Sequence, residues 1–182
     1  MDEFGLSERC KQGDNRARKE LYERYGGRML TICMRYVSDR DTAQDLLHDS
    51  FLQIFNAFGK FTWRGEGSLR AWMERVTTNV ALQYLRKNDV IKQSVSIDEA
   101  PEKYEKPQPS DIDVIPSKIL LQFIAELPEG YRTVFNLYSL ENKSHKEIAK
   151  LLNINEKSSA SQLFRAKNAL AKKVKDWMAH HN

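Results

Sequence analysis

The stretch SHKEIAKLLNINEKSSASQLFRAKNALAKKV, residues 144–174, predicts two helices separated by a very short break. Ser144 is followed three residues later by Glu147, a capping box that predicts a helix start at Ser144. Asn153 and Asn155 supply the break, because asparagine tolerates the left-handed conformation of a tight turn and can cap the next helix. This order of parts predicts a helix-turn-helix.

The second of these helices has two chemically different faces. Its predicted inner stripe, at three- and four-residue steps, consists of Ser159, Leu163, Ala166, Leu170, Val174 and Trp177. Its predicted outer face is basic and hydrogen-bonding and carries Lys157, Ser158, Ser161, Gln162, Arg165 and Lys172. Residues 140–175 hold nine lysines and arginines against three acids, a balance that attracts phosphate. The pattern favours a helix in the DNA major groove, and the alternative is a packed helix pair with a solvated basic face.

Composition narrows the class of protein. The chain has 182 residues, of which 41% are hydrophobic, enough for one domain or two small ones. It has no run of about 18 apolar residues and no signal-peptide core, so we expect no membrane insertion and a cytoplasmic location. Cys10 and Cys33 form no C-x-x-C pair, so we expect reduced thiols that are buried or on a helix surface, and the alternative is a disulfide or a metal site. We expect no cofactor and no bound metal.

Net charge differs along the chain. Residues 1–87 carry a net charge of +3, residues 88–118 carry −3, and residues 129–182 carry +5. The acidic middle segment, 89–116, contains four prolines and little apolar content, which is typical of a flexible linker. No strand pattern occurs. The sequence therefore predicts an all-α protein of two small helical domains, 1–88 and 117–182, joined by the linker 89–116.

Helical periodicity is clearest over residues 41–58, where Ala43, Leu46, Leu47, Ser50, Phe51, Ile54, Phe55 and Phe58 form one stripe. The opposite face is polar and acidic and carries Gln44, Asp45, His48, Asp49 and Gln53. Acids near a helix start suit the helix dipole, but Asp49 lies further in. From the residues alone, this face is either solvated or a partner site.

A loop at 59–68 follows, with three glycines beside Phe61, Trp63 and Arg64. Aromatic and basic side chains in a flexible loop suit stacking on unpaired bases. The alternative is that the rings cap the local core, which we favour for Phe61. The next predicted helix, 68–87, has outward residues that can contact phosphates and base edges or be only solvated: Arg70, Arg75, Asn79, Gln83, Arg86 and Lys87.

Three stretches give the chain a family resemblance: DTAQDLLHDSFLQIF at 41–55, FTWRGEGSLRAWMERVTTNVALQYLRK at 61–87, and LPEGYRTVF with HKEIAKLLNIN and FRAKNAL within 127–170. In this order and spacing, the chain resembles bacterial RNA polymerase sigma factors of the extracytoplasmic-function class. The resemblance implies two helical domains, region two and region four, that bind core RNA polymerase and promoter DNA, both duplex and single-stranded.

The resemblance also implies residue roles. Core polymerase would bind the acidic helix face at Gln44, Asp45, Asp49 and Gln53. The minus-ten element would be opened and held by Phe61, Arg64, Gly65, Ser68, Asn79, Arg86 and Lys87, with Trp72 remaining in the core. The minus-thirty-five element would be read as duplex by Lys157, Ser158, Ser161, Gln162 and Arg165.

Some positions depart from the family pattern. Ser159 and Ala160 stand where the family commonly carries a bulky aliphatic residue and then a basic one, and Gln83 stands where it often has Asp. These departures bear on promoter preference rather than on class. The Ser161-Gln162 pair is similar to a branch partnered by membrane-bound anti-sigma proteins, which implies an anti-sigma partner.

Two other classes of protein remain as alternatives. A helix-turn-helix regulator without a sigma role would bind duplex DNA tightly in the absence of polymerase. An enzyme is disfavoured, because the sequence shows no Walker loop, metal-ligand cluster or convincing nucleophile–base pair.

Overall fold

The computed structural model describes residues 2–88 and 115–181, and its regular structure there is entirely helical. The predicted all-α class is confirmed. Residues 89–114 of the predicted linker lie outside the described residues. The helices are α1 (Glu3–Lys11), α2 (Asn15–Tyr36), α3 (Arg40–Ala57), α4 (Ser68–Lys87), α5 (Ser117–Ala125), α6 (Glu129–Ser139), α7 (His145–Leu152) and α8 (Glu156–His181), with a 3₁₀ turn at Phe58–Lys60.

The chain divides into two compact units, Met1–Tyr84 and Leu85–Asn182. The first unit contains α1, α2, α3 and all but the end of α4, and the second contains α5 to α8. This division falls inside α4, close to the predicted end of the first domain at residue 88. Each unit has its own buried residues, so each is described separately below.

In the first unit, α2 packs against α3, and α3 buries most of the stripe that the sequence predicts. Ile54 is fully buried, as are Leu21 and Met29 of α2 and Met73 of α4. The side chain of Asp39 caps α3 by accepting a hydrogen bond from Thr42 N at 2.8 Å. Burying this stripe leaves the opposite face of α3 exposed.

Helix α1 was not predicted from the sequence. Asp2 caps it by accepting from Gly5 N at 2.7 Å, and the helix buries Leu6, Ser7 and Cys10. The stretch is mostly polar, with too few apolar residues to show a clear periodicity. Its contacts with α2 and with the 3₁₀ turn provide the apolar burial that stabilises so short a helix.

In the second unit, α8 packs against α5, α6 and α7. Leu127, Ala166 and Leu170 form a buried cluster, with Phe123, Ile124, Tyr131, Phe135 and Ala169 packed around it. Arg132 is also fully buried, and its Nη1 donates to the carbonyl oxygen of Ala125 at 2.6 Å. Burial lowers the pKa of this guanidinium, and Glu129 Oε1 lies 3.8 Å from its Nη2. Arg132 thereby joins the end of α5 to the start of α6.

The helix-turn-helix forms as its sequence predicts. Ser144 N donates to Glu147 Oε2 at 2.8 Å, and Glu147 N donates to Ser144 Oγ at 3.3 Å, which completes the capping box. Asn153 ends α7 in the left-handed conformation with φ of 55°. Asn155 Oδ1 then accepts from Ser158 N at 2.7 Å, so the next helix starts within a few residues.

Candidate protein and nucleic-acid interfaces

The acidic face of α3 is exposed along its length. All four residues predicted to bind polymerase lie on the surface: Gln44, Asp45, Asp49 and Gln53. Leu52 also lies on this face, and 61% of its surface is exposed. It follows Asp45 by seven residues and Asp49 by three, spacings that place it on the same side of the helix. Sequence reasoning missed Leu52, although its position outside the buried stripe was a usable signal.

The charge of this face is not balanced within the chain. No lysine or arginine occurs between Asp41 and Ala57, and Asp45 and Asp49 are one helical turn apart. Neither carboxylate forms an ion pair within the described part of the chain. Like charges four residues apart destabilise a helix by about 0.2–0.5 kcal/mol. The face therefore suits a basic partner with an apolar centre.

The loop between α3 and α4 depends on two glycines with left-handed backbone. Gly65 has φ of 110° and Gly67 has φ of 81°, conformations that other residues adopt at a cost. Arg64 N donates to Ser68 Oγ at 3.2 Å, and Ser68 N donates to Gly65 O at 3.1 Å. These bonds fold the loop back onto the start of α4 and leave the Arg64 side chain exposed.

Phe61 does not lie on the loop surface. Its side chain is 8% exposed, and its ring centroid lies 5.0 Å from Trp72 and 6.3 Å from Phe58. The structure thus supports the alternative in which Phe61 caps the local core, and the DNA contact predicted for it loses its support. Trp63 is half-buried and adjoins the exposed Arg64, so it is the aromatic side chain that the loop presents.

Helix α4 extends the surface that begins in this loop. Asn79, Arg86 and Lys87 are exposed, as predicted, and Arg75 and Gln83 are exposed at helical spacing with them. Ser68 and Gly65, at the start of this series, are half-buried. The exposed side chains of the loop and of α4 are thus mainly hydrogen-bonding or basic, the types that contact DNA phosphates and base edges.

The outer face of α8 differs from its prediction at one residue. Lys157 and Ser161 are exposed, and Ser158 and Arg165 are half-buried. Gln162 is only 2% exposed, so its predicted position on the outer face is wrong. It follows Ser159 by three residues and precedes Ala166 by four, which puts it inside the buried stripe. Among residues 2–88 and 115–181, neither its amide oxygen nor its amide nitrogen has a hydrogen-bond partner.

Phe164 lies on the outer face of α8, where the sequence had placed Gln162. Its side chain is 44% exposed, and it follows Lys157 by seven residues and Ser161 by three. An exposed aromatic ring on a groove-sized helix can contact the methyl group of thymine. Sequence reasoning missed it, although the ring's position outside the predicted inner stripe was a signal.

His145 of α7 contacts both α6 and α8. Its Nδ1 lies 2.9 Å from Ser159 Oγ, and its ring stacks on Tyr138 with centroids 4.8 Å apart. Lys167 Nζ of α8 lies 5.5 Å from the centroid of the Tyr138 ring. These contacts connect α6, α7 and α8 and fix the angle at which the outer face of α8 is presented.

The described helices and side chains offer neither a membrane span nor a metal site. No helix among residues 2–88 and 115–181 is both long and apolar enough to cross a membrane. Over the same residues, no group of three or more His, Cys, Asp or Glu side chains could hold a metal ion. Cys10 and Cys33 are both buried and carry free thiols.

Comparison with known proteins gives matches in both units. The family model described as Sigma-70 region 2 matches residues 21–90, and that described as Sigma-70, region 4 matches residues 117–170. The chain is 29% identical to the RNA polymerase sigma-H factor of Pseudomonas aeruginosa over 177 residues, which cover 92% of this chain and 91% of that protein. It is 26% identical to the ECF RNA polymerase sigma-E factor of Haemophilus influenzae over 188 residues, which cover 98% of each.

Solved structures are similar only at a low level. A structure of CnrH in complex with the cytosolic domain of CnrY aligns with a TM-score of 0.45 and 18% identity, covering 97% of each chain. The two family matches identify the family, because one lies mostly in the first compact unit, the other lies in the second, and together they span about two thirds of the residues. The chain therefore belongs to the sigma-70 family, as a sigma factor of the extracytoplasmic-function class that directs promoter-specific initiation of transcription.

Proposed function

We propose that this sigma factor binds core RNA polymerase through α3, opens the minus-ten element with the loop and α4, and reads the minus-thirty-five element with α8. One observation carries the proposal. The chain has two compact units whose exposed residues differ in chemistry. A loop with Trp63 and Arg64 in the first suits unpaired bases, and the basic face of α8 in the second suits duplex. A protein that needs only to bind duplex DNA has no use for the first surface.

The polymerase-binding part of the proposal is supported by the composition of the α3 face. Asp45 and Asp49 are exposed without ion-pair partners in the described chain, and Leu52 adds an exposed apolar contact between polar neighbours. Interface centres are commonly apolar, with charged groups around them that select the partner. We propose that Asp45, Asp49 and Leu52, flanked by Gln44 and Gln53, are the contact surface.

The promoter-opening part is supported by the loop at 61–68. Removing a base from the stack costs a few kcal/mol. Stacking a base on an aromatic side chain contributes about 1–3 kcal/mol, which is of similar size. Trp63 can supply this contact, and the exposed Arg64 can neutralise a nearby phosphate. Asn79, Arg86 and Lys87 would then hold the separated strand along α4.

The duplex-reading part is supported by α8. Lys157, Ser161 and Phe164 lie on one exposed face, and Ser158 and Arg165 lie at its edges. Gln162 is not included, because its side chain is buried. The chain supplies no chemical step in this proposal, since polymerase makes the RNA, and it acts in the cytoplasm where polymerase and DNA meet.

In vitro transcription with core polymerase on a library of random promoters tests the proposal. We expect specific initiation only when both the chain and core polymerase are present, and weak duplex binding by the chain alone. Tight, sequence-specific duplex binding without polymerase, together with no effect on initiation, would instead support a regulator without a sigma role.

An anti-sigma partner forms a further part of the proposal. It rests on the resemblance of the Ser161-Gln162 pair to factors with membrane-bound anti-sigma proteins. A candidate partner would have to compete with core polymerase for the chain and reduce transcription from the selected promoter. A protein that binds the chain without reducing transcription would not meet this requirement.

A further inference from the structure

Helix α1 reaches the loop that we propose to open the promoter. Glu3 Oε2 accepts a hydrogen bond from Gly67 N at 2.7 Å, although the two residues are 64 positions apart. Glu3 Oε1 accepts a second hydrogen bond, from Tyr25 Oη of α2, at 2.8 Å. One carboxylate therefore joins the first turn of α1, the middle of the first unit and the end of the loop.

Gly67 is a position where such a contact has a large effect. It has φ of 81° and immediately precedes α4, and its carbonyl accepts from Ala71 N at 3.0 Å. Its own N–H therefore lies at the N-terminal end of the helix, where donors lack intrahelical acceptors. A carboxylate there satisfies the donor and complements the helix dipole.

The Tyr25 hydroxyl fixes the other side of Glu3. Tyr25 is 8% exposed, and burial, followed by the hydrogen bond to Glu3, raises its pKa to about 12. The hydroxyl thus remains protonated and donates to Glu3 at neutral pH. Because Tyr25 lies in a well-packed helix, it holds the Glu3 carboxylate in one place.

The next residue of α1 contacts the same loop from its exposed side. The Phe4 ring meets the Trp63 ring edge to face, with centroids 5.6 Å apart, and the Phe4 side chain is 49% exposed. Residues 3 and 4 therefore touch both ends of the loop, at Gly67 and at Trp63. Helix α1 is itself held by its buried Leu6, Ser7 and Cys10.

We propose that Glu3 is a positioning residue for promoter opening: it holds the loop at 61–68 in the conformation that accepts an unpaired base. Glu3 acts through the loop and does not itself contact DNA. This inference rests on the proposed function and assigns to it a helix that the predicted sites do not include. Its consequence is that a change in α1 alters single-strand binding without altering polymerase binding.

The test uses core polymerase with the full-length chain and a fluorescein-labelled single strand. This strand is the non-template minus-ten segment of a promoter recovered from the transcription library. We expect Glu3→Ala to weaken its binding by about tenfold, the effect of losing a charge-assisted hydrogen bond. Affinity for core polymerase and for minus-thirty-five duplex should stay unchanged.

Two further variants separate positioning from general loss of structure. Glu3→Gln retains an oxygen acceptor for Gly67 N–H and an amide donor for Tyr25 Oη, so its single-strand affinity should stay within about twofold of wild type. Tyr25→Phe removes one of the two contacts and should weaken single-strand binding less than Glu3→Ala does. Glu8→Ala is the control. It removes another carboxylate of α1, and the carboxylate that accepts from Gly67 N belongs to Glu3.

The outcomes distinguish a failure of the proposed function from a failure of the positioning role of Glu3. If wild-type holoenzyme does not bind the single strand, the proposed function fails. If wild type binds the single strand and both Glu3→Ala and Tyr25→Phe bind it as tightly as wild type does, Glu3 has no positioning role. A parallel loss of polymerase affinity in Glu3→Ala would also overturn the inference, and Tyr25→Phe decides the matter if Glu3→Ala does not fold.

Discussion

Asp49 lies exposed near the middle of α3, beyond the first turn where the helix dipole would stabilise an acid. Asp49→Arg should abolish binding to core polymerase, because it reverses the charge at the centre of the proposed contact surface. A pull-down with core polymerase measures this, and circular dichroism melting checks that the fold is intact.

Glu23→Arg is the matched control for Asp49→Arg. It makes the same charge reversal on α2, where Oε1 of the exposed Glu23 lies 3.7 Å from Lys19 Nζ. An exposed pair of this kind contributes little to stability. Normal polymerase binding by Asp49→Arg, or equal loss in both variants, would contradict the assignment of α3.

Arg64 gives a second prediction for a single side chain. Arg64→Ala should slow promoter opening by about tenfold while closed complexes form at close to the normal rate, since a phosphate contact of the separated strand is lost. Permanganate footprinting of unpaired thymines follows opening directly. Arg16→Ala, which removes an exposed arginine at the start of α2, should leave both steps unchanged.

Single residues also show where sequence reasoning reaches its limit. The spacing of Gln162 between Ser159 and Ala166 indicated burial, but its polar chemistry suggested the surface. The polar side chain of Gln162 favoured exposure and its helical position favoured burial, and the residue is buried as its position indicates. Phe61 is the opposite case, because its hydrophobicity alone favoured the core that the structure confirms.

Helix α8 has charged and apolar contacts on one face, and these should respond differently to salt. Lys157→Ala should weaken duplex binding and reduce the slope of log affinity against log salt concentration by about 1. Phe164→Ala should weaken binding with no change in slope, because it removes no charge. Arg165 gives a less direct test, since it is half-buried and interacts within the chain.

Titration of labelled promoter duplex at several salt concentrations measures both quantities. Equal slopes for wild type and Lys157→Ala would show that Lys157 makes no phosphate contact. A changed slope for Phe164→Ala would show that the variant shifts α8 as a whole.

Helix α7 is stabilised at its start by the capping box. Ser144→Ala should lower the free energy of unfolding of the second unit by about 1 kcal/mol, because Glu147 N loses its side-chain acceptor. Ser144→Thr keeps the acceptor and should restore most of the loss. Urea unfolding of both variants measures the difference, and no change in Ser144→Ala would mean that solvent replaces the cap.

Local rules predicted these elements well because their determinants are close in sequence. The cap at Ser144 and the turn at Asn153 each depend on residues within a few positions. Helix α1 could not be predicted in this way. Its most informative contact joins Glu3 to Gly67, and no pattern within nine residues encodes a partner 64 positions away. The role we assign to α1 was hidden from the sequence for the same reason.

At the scale of the whole molecule, the division into two compact units predicts that a substitution that destabilises one unit leaves the other folded. Cys10 and Cys33 both lie in the first unit, and burial raises the pKa of each thiol to about 11. Their reaction with Ellman's reagent at pH 8 should therefore be slow and should report opening of that unit. Ser144→Ala, in the second unit, should leave this rate unchanged.

Met29→Ala provides the contrast within the first unit. Met29 is fully buried, and truncating it should cost about 2–5 kcal/mol and accelerate the thiol reaction. If Ser144→Ala accelerates the reaction as well, the two units unfold together. The domain limits predicted from the sequence would then not describe independent folding units.

Because Asp45 and Asp49 of α3 have no ion-pair partners in the described chain, added salt should have opposite effects on the stability of the free helix and on the stability of its complex. Added ions weaken the repulsion between Asp45 and Asp49, so the uncomplexed helix becomes more stable. If α3 docks on polymerase as we propose, the same ions weaken its attraction for the basic partner surface, so the complex becomes less stable. Raising the ionic strength should then stabilise the free sigma factor while lowering the fraction that is loaded onto polymerase.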